Sequence, residues 1–139
     1  MKAKELRIGN LVHSKADTVI MMSGWELYNM TVNENTNSET FLKPIPLTEE
    51  WLLKFGFDKP CKYDWYNKRY NTTCIEANEE MTVSWNIKSK RLSIFDSMEE
   101  TDMVNILSHP IYCAQDLDYV HQLQNLYFAL TGEELKIQD

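Results

Sequence analysis

The feature that most constrains this chain is the alternation of side chains between positions 61 and 95. If Asn67-Lys68 is a two-residue hairpin turn, Trp65 lies opposite Tyr70, Tyr63 opposite Thr72 and Cys61 opposite Cys74, all on one face. Lys62, Asp64, Tyr66, Arg69, Asn71 and Thr73 then occupy the other face. Successive strand residues point to opposite faces, so this is the sorting a half-buried antiparallel pair requires. Met81, Val83, Trp85 and Ile87 repeat it against Thr82, Ser84 and Asn86, and a turn near Ser89 returns the chain through Leu92 and Ile94. The expected fold is α+β: an antiparallel four-stranded meander over 61–95 with two packed helices, preceded by a small β subdomain.

The two helices are read from their ends. Thr48 is a good N-cap, Glu49 and Glu50 put negative charge in the first turn, and Gly56-Phe57 resembles a glycine C-cap with its hydrophobic partner. That predicts a helix over 49–55. A second helix is expected over 118–131, capped by Asp116 or Asp118 and ended by Gly132. Its core side carries Leu123, Tyr127 and Leu130. Ahead of both, the stretches 8–13, 18–22 and 25–28 read as short strands, with turns at Lys15-Ala16-Asp17 and Ser23-Gly24. The polar run 33–39 reads as an exposed loop, and Pro44 and Pro46 close the region. The expected division is a small β subdomain over 1–46 and an α+β domain over 47–139. The stretch 96–116 is ambiguous, although Pro110 must break any helix there.

A chain of 139 residues buries roughly two-thirds of its unfolded surface, so no metal or disulfide is needed for folding. The net charge of −7 disfavours nonspecific nucleic-acid or anionic-membrane binding. No apolar signal core and no window of membrane-spanning length is visible, so a cytoplasmic protein is expected. Cys61, Cys74 and Cys113 form no C-x-x-C pair. Cys61 and Cys74 are either a cross-strand pair able to bridge or, in a reducing cytosol, two small buried hydrophobes.

Leu6-Arg7-Ile8-Gly9-Asn10-Leu11-Val12, the segment from Pro44 to Phe57 (PIPLTEEWLLKFGF) and the segment from Val120 to Leu135 (VHQLQNLYFALTGEEL) together carry a resemblance. The chain resembles a family of small proteins encoded by phages, prophages and mobile elements of gut bacteria. The three stretches span about a quarter of the sequence. What the resemblance implies is context rather than chemistry: an intracellular accessory protein of a mobile element.

Chemistry is sparse. His13, His109 and His121 are far apart, and no G-x-S-x-G, phosphate loop or H-E-x-x-H occurs, so neither enzyme activity, cofactor nor metal is expected. Two candidate surfaces remain. Leu117, His121, Gln124, Asn125 and Phe128 gather on the side of the last helix away from Leu123. Either the N-terminal region folds over that side, or Phe128 is an aromatic anchor ringed by amides and built for a protein partner. The turns near 67–68 and 88–90 would lie at one end of the meander and collect Tyr66, Lys68, Arg69, Lys88, Lys90 and Arg91. Such a basic edge suits nucleic acid or nucleotide, while solvated lysines at hairpin tips are the ordinary alternative. The leading functional expectation is a non-enzymatic protein that binds a host or phage macromolecule, most simply a protein.

Overall fold

The computed structural model describes residues 1–35, 41–58, 65–72, 79–86, 88, 90–96, 112–114 and 117–138. The chain divides into two compact units. The first comprises Met1–Leu47 with Asp118–Leu135, the second Thr48–Leu117 with Lys136–Asp139.

The first unit is built on a two-stranded antiparallel ribbon, β1 (Leu11–His13) and β2 (Val19–Met21), in the register Val12 opposite Ile20. The Lys15-Ala16-Asp17 turn forms where expected. Asp17 takes a left-handed φ of 54°, and Ser14 N–H donates to the Thr18 carbonyl at 2.8 Å. On its other edge β1 is bridged to Lys43 through His13. After the ribbon comes helix α1 (Gly24–Asn35), where the sequence reading expects a third strand and a loop. The cap explains the difference. Ser23 Oγ donates to the Glu26 carboxylate, which also accepts Ser23 N–H at 3.0 Å, and Trp25 N–H donates back to Ser23 Oγ at 3.2 Å. Ser23 thus caps the helix through its side chain while Glu26 reaches back to the Ser23 N–H, which satisfies free N–H groups at a helix start. Met30 and Leu27 of α1 then join Ala3, Leu6, Val12, Met22 and Ile20 in the core.

Helix α3 (Val120–Thr131) completes this unit. Its entry is not capped by Asp118. Instead Gln122 Oε1 accepts the N–H groups of Asp118 and Tyr119 at 2.9 and 3.0 Å. Asp116, the other expected cap, lies outside the described residues. The helix ends as predicted at Gly132, left-handed at φ 73°, whose N–H reaches the Phe128 carbonyl at 2.8 Å. Leu47 N–H donates to the Asp118 carbonyl and Val120 N–H to the Ile45 carbonyl, so 45–47 and 118–120 run paired.

In the second unit, α2 (Glu49–Lys54) forms where the sequence places it. Gly56 N–H donates to the Leu53 carbonyl and Phe57 N–H to the Leu52 carbonyl, and Gly56 takes φ 76°. That double return is a Schellman cap, with buried Leu52 and Phe57 as its apolar pair. Thr48 occupies the N-cap position without a side-chain bond. The sheet of this unit runs in the order β3 (Trp65–Thr72), β4 (Glu79–Asn86), β5 (Arg91–Asp96), β6 (Tyr112–Ala114), with each neighbouring pair antiparallel.

The expected fold is corrected on three counts. β3 is continuous through Asn67 and Lys68, which pair with Ser84 and Val83 of β4. The hairpin at 67–68, and the four-stranded meander built on it, therefore do not form. An odd separation along one strand puts positions 65 and 70 on opposite faces rather than one. A two-residue turn wants positive φ at both central residues, and Lys68 lacks the glycine that makes this cheap. Second, the N-terminal region is a ribbon and a helix, not a β subdomain. Third, the last helix belongs to the N-terminal unit, not to the sheet unit. What stands is an α+β protein with antiparallel sheet. Among the described residues no helix is long and apolar enough to cross a membrane.

Candidate interaction surface

The amide-rich side of α3 has a structural purpose. Gln124 is 2 % exposed. Its side-chain carbonyl accepts Leu11 N–H at 2.8 Å, and its amide donates to the Gly9 carbonyl at 3.4 Å. Asn125 donates to the Glu5 carbonyl at 2.8 Å and accepts from Asn10 Nδ2 at 2.9 Å, while Asn10 Oδ1 takes Arg7 N–H at 2.8 Å. Part of the backbone of 5–11 bonds to other backbone, as Gly9 N–H does to the Met22 carbonyl. The Glu5 and Gly9 carbonyls and the Leu11 N–H are instead met by the helix side chains, in keeping with the pairing that buried N–H and C=O groups require. His121 is buried too, stacked on Tyr119 at 5.8 Å between ring centres. Burial lowers its pKa, and the Glu5 carboxylate opposes that in part. Among the described residues its Nδ1 has no hydrogen-bond partner.

Three of the five residues expected to meet a partner are therefore committed within the chain: Gln124 and Asn125 through hydrogen bonds, His121 through burial. Leu117 is buried in the second unit. Phe128 differs, at 40 % exposed. The Arg7 guanidinium lies 4.2 Å from its ring centre, forks onto the Glu134 carboxylate, and reaches the Gln124 carbonyl at 3.3 Å. Such a fork is held more firmly than a single charge contact.

The residues of the expected basic edge are spread along the sheet. Lys68 and Arg69 sit mid-strand opposite Val83 and Thr82, and Tyr66 sits opposite Trp85. Only Lys88, Lys90 and Arg91 mark the β4–β5 turn, where Lys90 takes φ 53° and Lys88 N–H bonds Asn86 Oδ1 at 3.1 Å. Glu79 and Glu80 open β4 and Asp96 closes β5, at the end away from that turn. Cys61 and Cys74 lie outside the described residues. Among the described residues no group of three His, Cys, Asp or Glu could hold a metal ion.

A surface that the sequence reading missed lies on α1. At about 100° per residue, Leu27 and Met30 fall on one side of this helix and Trp25, Tyr28 and Val32 on the opposite one. The first side is in the core. The second is exposed: Trp25 68 %, Tyr28 60 %, Val32 39 %. Trp25 and Tyr28 stack at 6.1 Å with 29° between their rings. Ile8, 60 % exposed, extends the row, its Cδ1 lying 3.7 Å from where a side chain at Gly24 would begin. A helix apolar on two opposite sides is more than an isolated surface helix needs. The signal was in the sequence, as Ser23-x-x-Glu26 followed by apolar residues at helical spacing.

Comparison with family models, with curated proteins and with solved structures yields no match. The class that fold and surface define is accordingly structural: an α+β protein with antiparallel sheet and an exposed aromatic ridge on its first helix.

Proposed function

We propose that the protein is a non-enzymatic accessory protein of a phage or mobile element, working inside the cell by binding another protein through the α1 ridge. The observation that supports this reading is the exposure of Trp25 and Tyr28, stacked on the side of α1 opposite its core face. Exposed aromatic rows of this kind are favoured at protein contacts, since a stiff, large side chain buries much area at small entropic cost.

The alternative, a nucleic-acid binder, has less support, because Lys68 and Arg69 sit mid-strand rather than at the Lys88–Arg91 turn. Affinity capture from host lysate, with and without nuclease, separates the two. Protein capture that survives nuclease and is lost in Trp25→Ala and Tyr28→Ala is the expected result. Capture that depends on nucleic acid, or is unaffected by either substitution, contradicts the proposal.

A further inference from the structure

We propose that the partner of the α1 ridge is a second copy of this chain, packed α1 against α1 in antiparallel fashion about a two-fold axis beside Tyr28. The inference rests on the reading of the ridge as a protein contact and names its occupant.

Three observations carry it. The first is shape. Two-fold antiparallel packing about the midpoint between positions 25 and 32 sets Trp25 over the partner's Val32, and Val32 under the partner's Trp25. The ridge has its largest side chain at one end and its smallest at the other, with Tyr28 between. Large against small at both ends, with the two Tyr28 side chains meeting beside the axis, lets two helices pack near the wider end of the usual ~8–10 Å between axes. An isologous contact demands that kind of self-complementarity.

The second is charge. Ile8, Trp25, Tyr28 and Val32 are uncharged, and α1 carries no basic residue in its last turn to recruit an acidic partner. The chain as a whole is at −7. Two copies therefore repel each other, and a contact made of uncharged side chains adds nothing to that repulsion.

The third is area. With aromatic side chains burying roughly 150–250 Å² each, the exposed fractions of the four ridge residues amount to roughly 500 Å² per copy. The pair thus covers about 1,000 Å², near the lower bound for a specific interface and above most lattice contacts. The dimer is correspondingly weak and reversible. Since like charges oppose it, association tightens a few-fold as salt rises and screens them, the reverse of a charge-driven contact.

The test is sedimentation velocity of the full chain over a concentration series. The expected result is a monomer–dimer equilibrium. Trp25→Val and Val32→Trp should each weaken it about tenfold or more, as loss of a central aromatic contact does. The double variant Trp25→Val/Val32→Trp restores the large-on-small match and recovers most of the affinity. Because these side chains are exposed, each variant is expected to keep the wild-type circular dichroism and melting temperature. A chain that stays monomeric to about 1 mM, the limit of meaningful affinity, overturns the dimer. So does a dimer indifferent to Trp25→Val, or a double variant no better than the singles. Lysate capture run in parallel separates the two levels. A monomeric chain that still captures a foreign protein through Trp25 overturns only the choice of partner. A monomeric chain with no Trp25-dependent capture overturns the binding reading as well.

Discussion

Gln124 shows how a polar side chain can hold a fold together without making a site. Its carbonyl oxygen is the acceptor for a buried backbone N–H, that of Leu11, 113 positions away in sequence. Gln124→Ala removes the acceptor and leaves that donor buried without a partner, which costs about 1–3 kcal/mol. Urea denaturation should report a loss in that range, and an unchanged midpoint would contradict the assigned bond. His121 gives a pH signature. Burial holds its pKa below the ordinary 6.5, with Glu5 and the chain's amino terminus as the charges nearby. The unfolded chain therefore takes up a proton before the folded one does. Stability present above pH 6.5 is lost as pH falls from there toward the lower folded value. Glu5, Glu26 and Glu50 have carboxyl groups lowered from 4.5, so their losses come in a more acidic window. His121→Leu should flatten the stability profile between pH 6.5 and the carboxylate range. A variant with the wild-type slope there would show that the histidine is not buried neutral. In the sequence, the amides and Phe128 stand out as out of place on an amphipathic helix. What they answer to, the backbone of residues 5–11, cannot be seen there, because no local pattern encodes a partner more than a hundred residues away.

At the scale of elements, local signals were legible wherever a terminus carried its own chemistry. The glycine at position 56 with Phe57 behind it, and the glycine at 132, each marked a helix end that the backbone confirms. Two elements were misread for opposite reasons. Residues 25–28 are rich in residue types that favour strands, and apolar Trp25 and Leu27 alternate with Glu26, so a period of two is visible. The Ser23–Glu26 cap outweighs it, because capping decides how a short segment starts and the core then accepts Leu27 and Met30. Ser23→Ala should cost about 1 kcal/mol, the usual loss for an N-cap serine. Thermal denaturation should show it together with a loss of helical signal, and a neutral effect would mean that α1 does not depend on this cap. At Asn67-Lys68 side-chain sorting alone does not choose the turn. Several registers can sort a tyrosine- and threonine-rich run, whereas only a few residue pairs accept the backbone of a two-residue loop. The turn that does form, between Asn86 and Arg91, places a residue at positive φ, Lys90.

At the scale of the whole molecule, α+β character with antiparallel sheet was legible, while the partition of elements was not. The N-terminal ribbon, α1 and α3 form one unit although the 70 residues from Thr48 to Leu117 separate its two parts in sequence. Hydrophobic periodicity says that a helix has a buried side but not which segment covers it. The candidate surface was hidden by the same limit, since Trp25 and Tyr28 are apolar residues and only their place on the far side of α1 makes them conspicuous. The account stands on that placement. Hydroxyl-radical footprinting read by mass spectrometry tests it most directly, with buried Trp85, 1 % exposed, as the internal reference. In dilute free protein Trp25 and Tyr28 should be modified readily while Trp85 is spared, and both should become protected when the chain is concentrated or engaged with a captured protein. Trp25 as resistant as Trp85 in the dilute chain, or as reactive in the assembled state as in the free one, would contradict it.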